Sequence, residues 1–483
     1  LSAEALGAAQ NVIEARATYE SAEVSVEIRV ATDNAGGVWI DLGGVPRQQA
    51  VPVTAAGWEI VAYPDAWMRR GRGMRTLPTP ESGGSLEELR ELLPPLGDDE
   101  WTLILAWLVC ALYPRGPYPL LGLFGEQGSG KTTAARMLLR LIEGAGAELR
   151  APPRKIRDLP ANLRAMWVVT GDNVSAITPQ LADALARLGT GSEIAGRQLY
   201  TDMDEVGIKA MRPILLTAIP DVVSSFADVA ERSSRVTLPV IEDRRATEAE
   251  LWTRYAAAHG RIFGALLDRL AGAMRELDNA PTAGLPRMAD AARLAVAAEL
   301  GAREQPRVLA AWHAMAGAGA ADTVDSSPVA LAVVKLAEAG AWKGAPSELL
   351  ERLETIVGES AAKRDGWPRN PRGLSGELRR VAPALRRVGV DVQLPDRARN
   401  ARERIVRVSC RTGRPDATGQ PTGQRNPAEQ GDLSGLSGLS CLAGTSRPRA
   451  PAGDYYDGDP GPVLNGEAEA LAEGPALGAM NNP

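Results

Sequence analysis

Residues Pro119-Leu120-Leu121-Gly122-Leu123-Phe124 form a short unbroken apolar run, and Gly125-Glu126-Gln127-Gly128-Ser129-Gly130-Lys131-Thr132 follows directly. Thr133 to Ile142 then continues at helical spacing. A buried strand that ends in a glycine loop and opens a helix constrains this chain more than any other feature. The glycines let backbone N–H groups curl around an anion, and the helix start presents its positive end to it. The loop is a complete G-x-x-x-x-G-K-[ST] pattern, in which Lys131 reaches the β- and γ-phosphates of ATP and the Thr132 hydroxyl ligates Mg²⁺. Lysine is scarce in this chain, 6 against 48 arginines, so chance would supply on the order of 0.01 such matches.

A triphosphate site of this kind needs a carboxylate at the end of a neighbouring strand. Met166-Trp167-Val168-Val169-Thr170-Gly171-Asp172-Asn173 supplies an apolar strand ending in Asp172, the candidate second Mg²⁺ ligand. Asn173 stands where many such ATPases carry a glutamate. It can orient water but cannot take its proton, so the general base is not identified. A third run, Pro213-Ile214-Leu215-Leu216, ends in Thr217, expected to sense the γ-phosphate and, with Asn173, to order the attacking water. Arg232, in Glu231-Arg232-Ser233-Ser234-Arg235, is a candidate arginine finger acting on a neighbouring subunit's ATP. The plainer alternatives are a strand-end Asp, a strand-end Thr and a surface arginine in a salt bridge.

The 483 residues allow about three domains. Three distant cysteines, Cys110, Cys410 and Cys441, exclude a disulfide framework or a zinc cluster, and His259 and His313 alone exclude a His-rich site. Trp101 to Tyr113 is the longest apolar run, 13 residues, about 20 Å as helix and short of a bilayer's roughly 30 Å. Asp98, Asp99 and Glu100 precede it where a helix start favours negative charge. With no signal-peptide pattern at the start, a soluble, cytoplasmic protein is expected.

Val24, Val26, Ile28 and Val30 alternate with polar residues up to a turn at 33–37, and Val38, Ile40 and Leu42 resume the alternation. This predicts a hairpin in a small β-rich module over 1–80. A helical linker over 81–116 leads into an α/β core over 117–245, where apolar runs alternate with helical patterns as in a parallel sheet. Ala- and Leu-rich helices over 246–320 form a lid. After Cys410, Gly, Pro, Ser, Thr and Gln dominate, so 411–483 is expected to be disordered.

The order of these pieces resembles the superfamily 3 helicases of the AAA+ class, closest to phage- and plasmid-type ATPases akin to poxvirus-type primase-helicases. The resemblance covers roughly 85–275. It is carried by the glycine loop, the Asp172 strand, Thr190-Gly191-Ser192-Glu193 leading to Arg197-Gln198-Leu199-Tyr200, a charged hairpin over 202–209, the Arg212-Pro213 strand and the Arg232 region. It implies a hexameric ring whose hairpin, with Arg197 and Lys209, tracks DNA through a central channel. Two positions depart from the pattern. Thr217 replaces a common Asn, and Asp172 lacks a second carboxylate beside it, which weakens the case for fast hydrolysis more than for nucleotide binding.

Over 363–407, 13 Lys and Arg oppose 5 Asp and Glu, a local +8 in a chain of net −6. A helix at Leu349, Leu350 and Leu353, a second carrying Arg379, Arg380, Arg386 and Arg387, and Val390 and Val392 pairing with Ile405, Val406 and Val408 describe a winged helix over 328–409. Its arginines suit DNA phosphates, and docking on an acidic neighbour is the alternative. Arg69, Arg70, Arg72 and Arg75 form a second, smaller basic cluster. The expected function is an ATP-dependent DNA motor of mobile-element replication, a helicase, with a primase as an expected partner. A nucleotide-switched initiator that unwinds nothing, or a small-molecule P-loop kinase, would also carry the glycine loop.

Overall fold

The computed structural model describes residues 2–22, 24, 26–33, 35–44, 49–62, 64, 66–152, 159–197, 205–241, 247–358, 367–394 and 405–410. Of 161, 192–197 and 205–209 it describes the backbone alone. The tail expected over 411–483 lies outside the described residues.

α1 (Ala3–Tyr19) has no buried residue. It is followed by β1 (Glu27–Ile28), β2 (Val30–Thr32), β3 (Val38–Asp41), β4 (Gln49–Thr54), β5 (Gly57–Trp58), β6 (Val61–Ala62) and β7 (Met68–Arg69). β2 to β5 form an antiparallel meander, β6 also pairs with β4, and β1 lies parallel to β7. The predicted hairpin is present as β2–β3, with Val30 opposite Ile40. Its first strand is shorter than the alternation implies, because the chain breaks at Arg29, whose φ is +63°. The break turns Arg29 inward and leaves Val24 and Val26 exposed. A fully buried guanidinium needs acceptors, and Arg29 donates to the carbonyls of Asp41 (2.5 Å), Arg75 (2.6 Å) and Glu143 (2.8 Å).

α2 (Glu87–Arg90) and α3 (Asp98–Leu112) lead to the central sheet. α3 is apolar on every side and buried from Trp101 onward except at Thr102, and its first turn carries the three expected carboxylates. The core then runs β8 (Leu120–Phe124), α4 (Lys131–Glu143), α5 (Leu159–Ala165), β9 (Val169–Gly171) and α6 (Pro179–Thr190). It continues with β10 (Ser192–Arg197), β11 (Glu205–Ala210), β12 (Ile214–Thr217), α7 (Ala227–Ala230) and β13 (Ser233–Thr237). Four strands form a parallel sheet in the order β13-β8-β12-β9. It is a mixed α/β fold, as the alternating pattern implies.

Both faces of this sheet are covered, which is why its strands read as continuous apolar runs. Leu121, Leu123 and Leu215 face the cluster built with α3, α4 and the long helix described next, while Leu120, Phe124, Ile214 and Leu216 face that of α5 and α6. Every β8 residue is therefore buried, and β8 sits at the centre of the sheet.

α8 (Glu248–Glu276) starts at a Thr247–Glu250 capping box and runs 29 residues, about 43 Å. α9 (Ala289–Gly301) and α10 (Val308–Asp325) follow. The last stretch comprises α11 (Pro328–Glu338), β14 (Trp342–Gly344), α12 (Pro346–Val357), α13 (Pro371–Arg387), β15 (Val390–Gln393) and β16 (Val406–Cys410). β15 and β16 pair antiparallel, with Val392 opposite Val408. β14 adds a third strand on the other side of β16. Lys343-Gly344 carries no strand signal, and β14 exists because β16 offers it an edge. These elements share a core of their own with the end of α10, including Leu349, Leu374, Leu378, Val390 and Val406. Among the described residues no helix is long and apolar enough to cross a membrane.

Candidate functional site

The 125–132 loop leaves β8 at the C-terminal edge of the sheet, and Lys131 opens α4. Gly125 has φ +140°, and a Cβ there would lie 2.4 Å from the Leu238 carbonyl oxygen, so no other residue fits. Gly130 caps α4 at φ +76°, in the left-handed region. Glu126, Gln127 and Gly128 are exposed, Ser129 is fully buried, and Thr133 lies half-buried in the first turn of α4. The Lys131 ammonium donates to the carbonyls of Gly125 (2.7 Å) and Glu126 (2.7 Å) and to Ser129 Oγ (3.2 Å). Partial burial holds the Lys131 pKa below its ordinary value. The loop thus curls around its own lysine, whose three donors are all met by acceptors of the same loop.

Asp172 follows β9, two strands from β8 with β12 between them. Thr132 Oγ1 donates to Asp172 Oδ1 at 3.2 Å, and Thr217 Oγ1 donates to the same oxygen at 2.7 Å. Thr217 is buried at the end of β12 and also accepts the Asn173 backbone N–H at 2.8 Å. Asn173 takes a left-handed turn, φ +53°, and its side chain is exposed. The three strand-end residues read from the sequence are therefore brought together. The single hydroxyl proton of Thr217 is directed at Asp172 in this arrangement. Glu143, at the far end of α4, escaped sequence reading because a helix-end glutamate resembles a solvated one. It is fully buried, and its Oε1 accepts from Val168 N at 2.7 Å, immediately before β9.

Arg232 lies elsewhere. Its carbonyl accepts from Leu120 N at 3.0 Å, at the N-terminal edge of the sheet. The five residues of β8, about 16 Å, separate it from its own chain's glycine loop. Its guanidinium is paired with Asp228, so the salt-bridge alternative describes it in the isolated chain. Arg197 and Lys209 lie on the antiparallel β10–β11 pair, opposite Glu205 and Glu193 in register. Their side chains, and residues 198–204 between the strands, are outside the description.

On α13, Arg379 and Arg386 are exposed and make no ion pair among the described residues, whereas Arg380 pairs with Glu377 at 2.5 Å and Arg387 with Glu231 at 3.1 Å. The smaller cluster is in part internal: Arg70 pairs with the buried Asp41 at 2.9 Å. No group of three or more His, Cys, Asp or Glu side chains is placed to hold a metal among the described residues.

Two family models match successive stretches of the chain. One, described as actinomycete integrative conjugative element replication protein, matches residues 95–322, and its C-terminal domain model matches 329–423. Together they span more than half of the sequence. The chain belongs to this family of replication proteins. The glycine loop, Asp172, Thr217 and Arg232 all fall within the first matched stretch, and α13 within the second. No curated protein matches the chain. Among solved structures, it is similar to one described as SCCmec type IV Cch, an active helicase (13% identity, 84% of this chain and 83% of that one, TM-score 0.43). It is also similar to the NrS-1 C-terminal region (13% identity, 77% and 96%, TM-score 0.34) and to the JCV helicase (18% identity, 48% and 63%, TM-score 0.23).

Proposed function

We propose that this replication protein is an ATP-binding and ATP-hydrolysing DNA motor, a replicative helicase that separates the strands of the mobile element's DNA. The observation that carries the reading is the hydrogen bond that Thr132, next to Lys131 at the start of α4, makes to Asp172 at the end of β9. Lys131 would exchange its loop carbonyls for phosphate oxygens, and the N–H groups of 126–133 would line the anion. Thr132 and Asp172 offer the oxygen donors that suit Mg²⁺, and such an ion, when bound, neutralises charge on the phosphate oxygens. Thr217 holds Asp172 in place, and the exposed Asn173 side chain orients water.

Arg232, on the sheet edge away from its own loop, would serve the neighbour's site in a ring, taken to be a hexamer. The β10–β11 hairpin with Arg197 and Lys209 would line the channel, and α8 to α10 would form the lid. α11 to α13 with the β14-β16-β15 sheet form the winged helix of the proposal, whose Arg379, Arg380, Arg386 and Arg387 bind DNA phosphates and fix position without reading sequence. A primase is the expected further partner, and the cytoplasm the expected location.

Lys131→Ala is expected to abolish ATP hydrolysis while leaving the thermal unfolding midpoint near that of the parent. Unchanged turnover in a folded variant would remove the ATP site. A second reading, a nucleotide-switched DNA-bound initiator with slow hydrolysis, is favoured by Asn173 in place of a carboxylate. Strand displacement from a forked duplex with ATP separates the two: DNA binding and slow hydrolysis without displacement select the initiator.

A further inference from the structure

A chain of ion pairs joins the basic face of α13 to the Arg232 turn. Arg387 donates to Glu231 Oε1 at 3.1 Å, and Glu231 Oε2 accepts from Arg287 at 3.1 Å. Arg287 also reaches Asp228 Oδ1 at 3.1 Å, and Asp228 holds Arg232. Two carboxylates thus serve three arginines, one from α13, one from the segment before α9 and one from the turn into β13. The contact borders a cavity of about 40 Å³ lined in part by Ser224, Arg235, Thr323, Arg380 and Arg387. Arg235 fixes that wall, bonded to Asp221 at 3.0 Å and to the Met315 carbonyl at 3.2 Å. The Arg387 and Glu231 side chains stay 38% and 29% exposed, so either can change partner without unpacking the core.

We propose that Glu231 is an internal competitor for DNA: it occupies Arg387, which a DNA phosphate would otherwise take. The proposal rests on the reading of α13 as a DNA-binding helix. A bidentate grip on a phosphate across the end of the guanidinium needs both terminal nitrogens of Arg387, and here one donates to Glu231 and the other to the Ala316 carbonyl at 3.4 Å. DNA bound through Arg387 therefore removes one member of the chain that reaches Arg232, and by linkage any event that draws Glu231 away tightens DNA binding by the same factor. Arg379 and Arg386, which have no such partner among the described residues, make first contact, and Arg387 joins only after leaving Glu231.

Binding of the full chain to a fluorescein-labelled DNA duplex, followed by anisotropy across a salt series, tests this without relying on turnover. Glu231→Gln is expected to tighten binding about 2- to 5-fold, the range for a partly exposed ion pair. Arg387→Gln is expected to weaken binding and lower the salt slope by about 1. In the double variant the Glu231→Gln gain disappears, because the competitor no longer has anything to hold. A gain that persists in the Arg387→Gln background is a general field effect of the lost charge and overturns the competition, as does no gain at all. Unchanged affinity and salt slope in Arg379→Gln/Arg386→Gln would instead overturn the DNA reading of α13, and the competition with it.

Discussion

The Thr217 hydroxyl donates to Asp172 at 2.7 Å while accepting the Asn173 backbone N–H at 2.8 Å, so one buried side chain holds two successive residues of the next strand's exit. Thr132 approaches the same Asp172 oxygen from α4 at 3.2 Å. The carboxylate is thereby fixed from both sides, by the helix that follows the glycine loop and by the strand between β8 and β9.

Thr217→Val keeps the shape and removes both bonds. ATP hydrolysis is expected to fall about 10- to 100-fold, the usual effect of losing a group that orients a metal ligand, with a stability cost of about 1–2 kcal/mol. Thr217→Ser is expected to restore most of the activity. Steady-state ATP turnover with thermal unfolding on each variant checks this. Wild-type turnover in the Val variant would detach Thr217 from the site.

Gly125→Ala places a Cβ against the Leu238 carbonyl at a φ that side chains rarely adopt. The expected cost is about 1–3 kcal/mol, together with loss of nucleotide binding, read by chemical denaturation and by binding of a fluorescent ATP analogue.

Arg29→Met removes the donor to three carbonyls, two of them buried and one of those at the C-terminal end of α4. Burial already pushes the Glu143 carboxyl up, and the Arg29 charge works against that shift. Losing Arg29 leaves the buried Glu143 without its opposing charge and is expected to cost about 3–5 kcal/mol. The midpoint of urea unfolding measures it, and a cost below 1 kcal/mol, the range of an exposed pair, would show that the clamp is dispensable.

His259 is buried on α8 with its ring 4.6 Å from that of Tyr255, and burial lowers its pKa from 6.5 to about 4. The unfolded chain binds a proton near pH 6.5 that the folded chain refuses until about pH 4. Its contribution is therefore fully present above pH 6.5 and lost as pH falls toward 4, by on the order of 3 kcal/mol. In a His259→Gln variant, unfolding free energy measured between these limits is expected to vary less with pH. An unchanged slope would assign the acid sensitivity to other groups.

The sequence by itself determined the glycine loop, its strand and helix, and the polar residues that end the neighbouring strands. Each of these depends on local chemistry: glycine conformations, an apolar run buried on two faces, a polar residue where a strand meets solvent. The sequence also contained the β15–β16 pair, because alternation marks a half-buried strand. Tertiary structure alone decided which partners the polar groups take. Arg29 breaks an otherwise regular alternation because three distant carbonyls converge on it, one of them 114 residues away. Thr217 turns to Asp172 because β12 lies beside β9, and Arg387 meets Glu231 across 156 residues. Side chains of like composition divide into clamps, site groups and free surface according to what the fold sets beside them, and that proximity has no local signature in the chain.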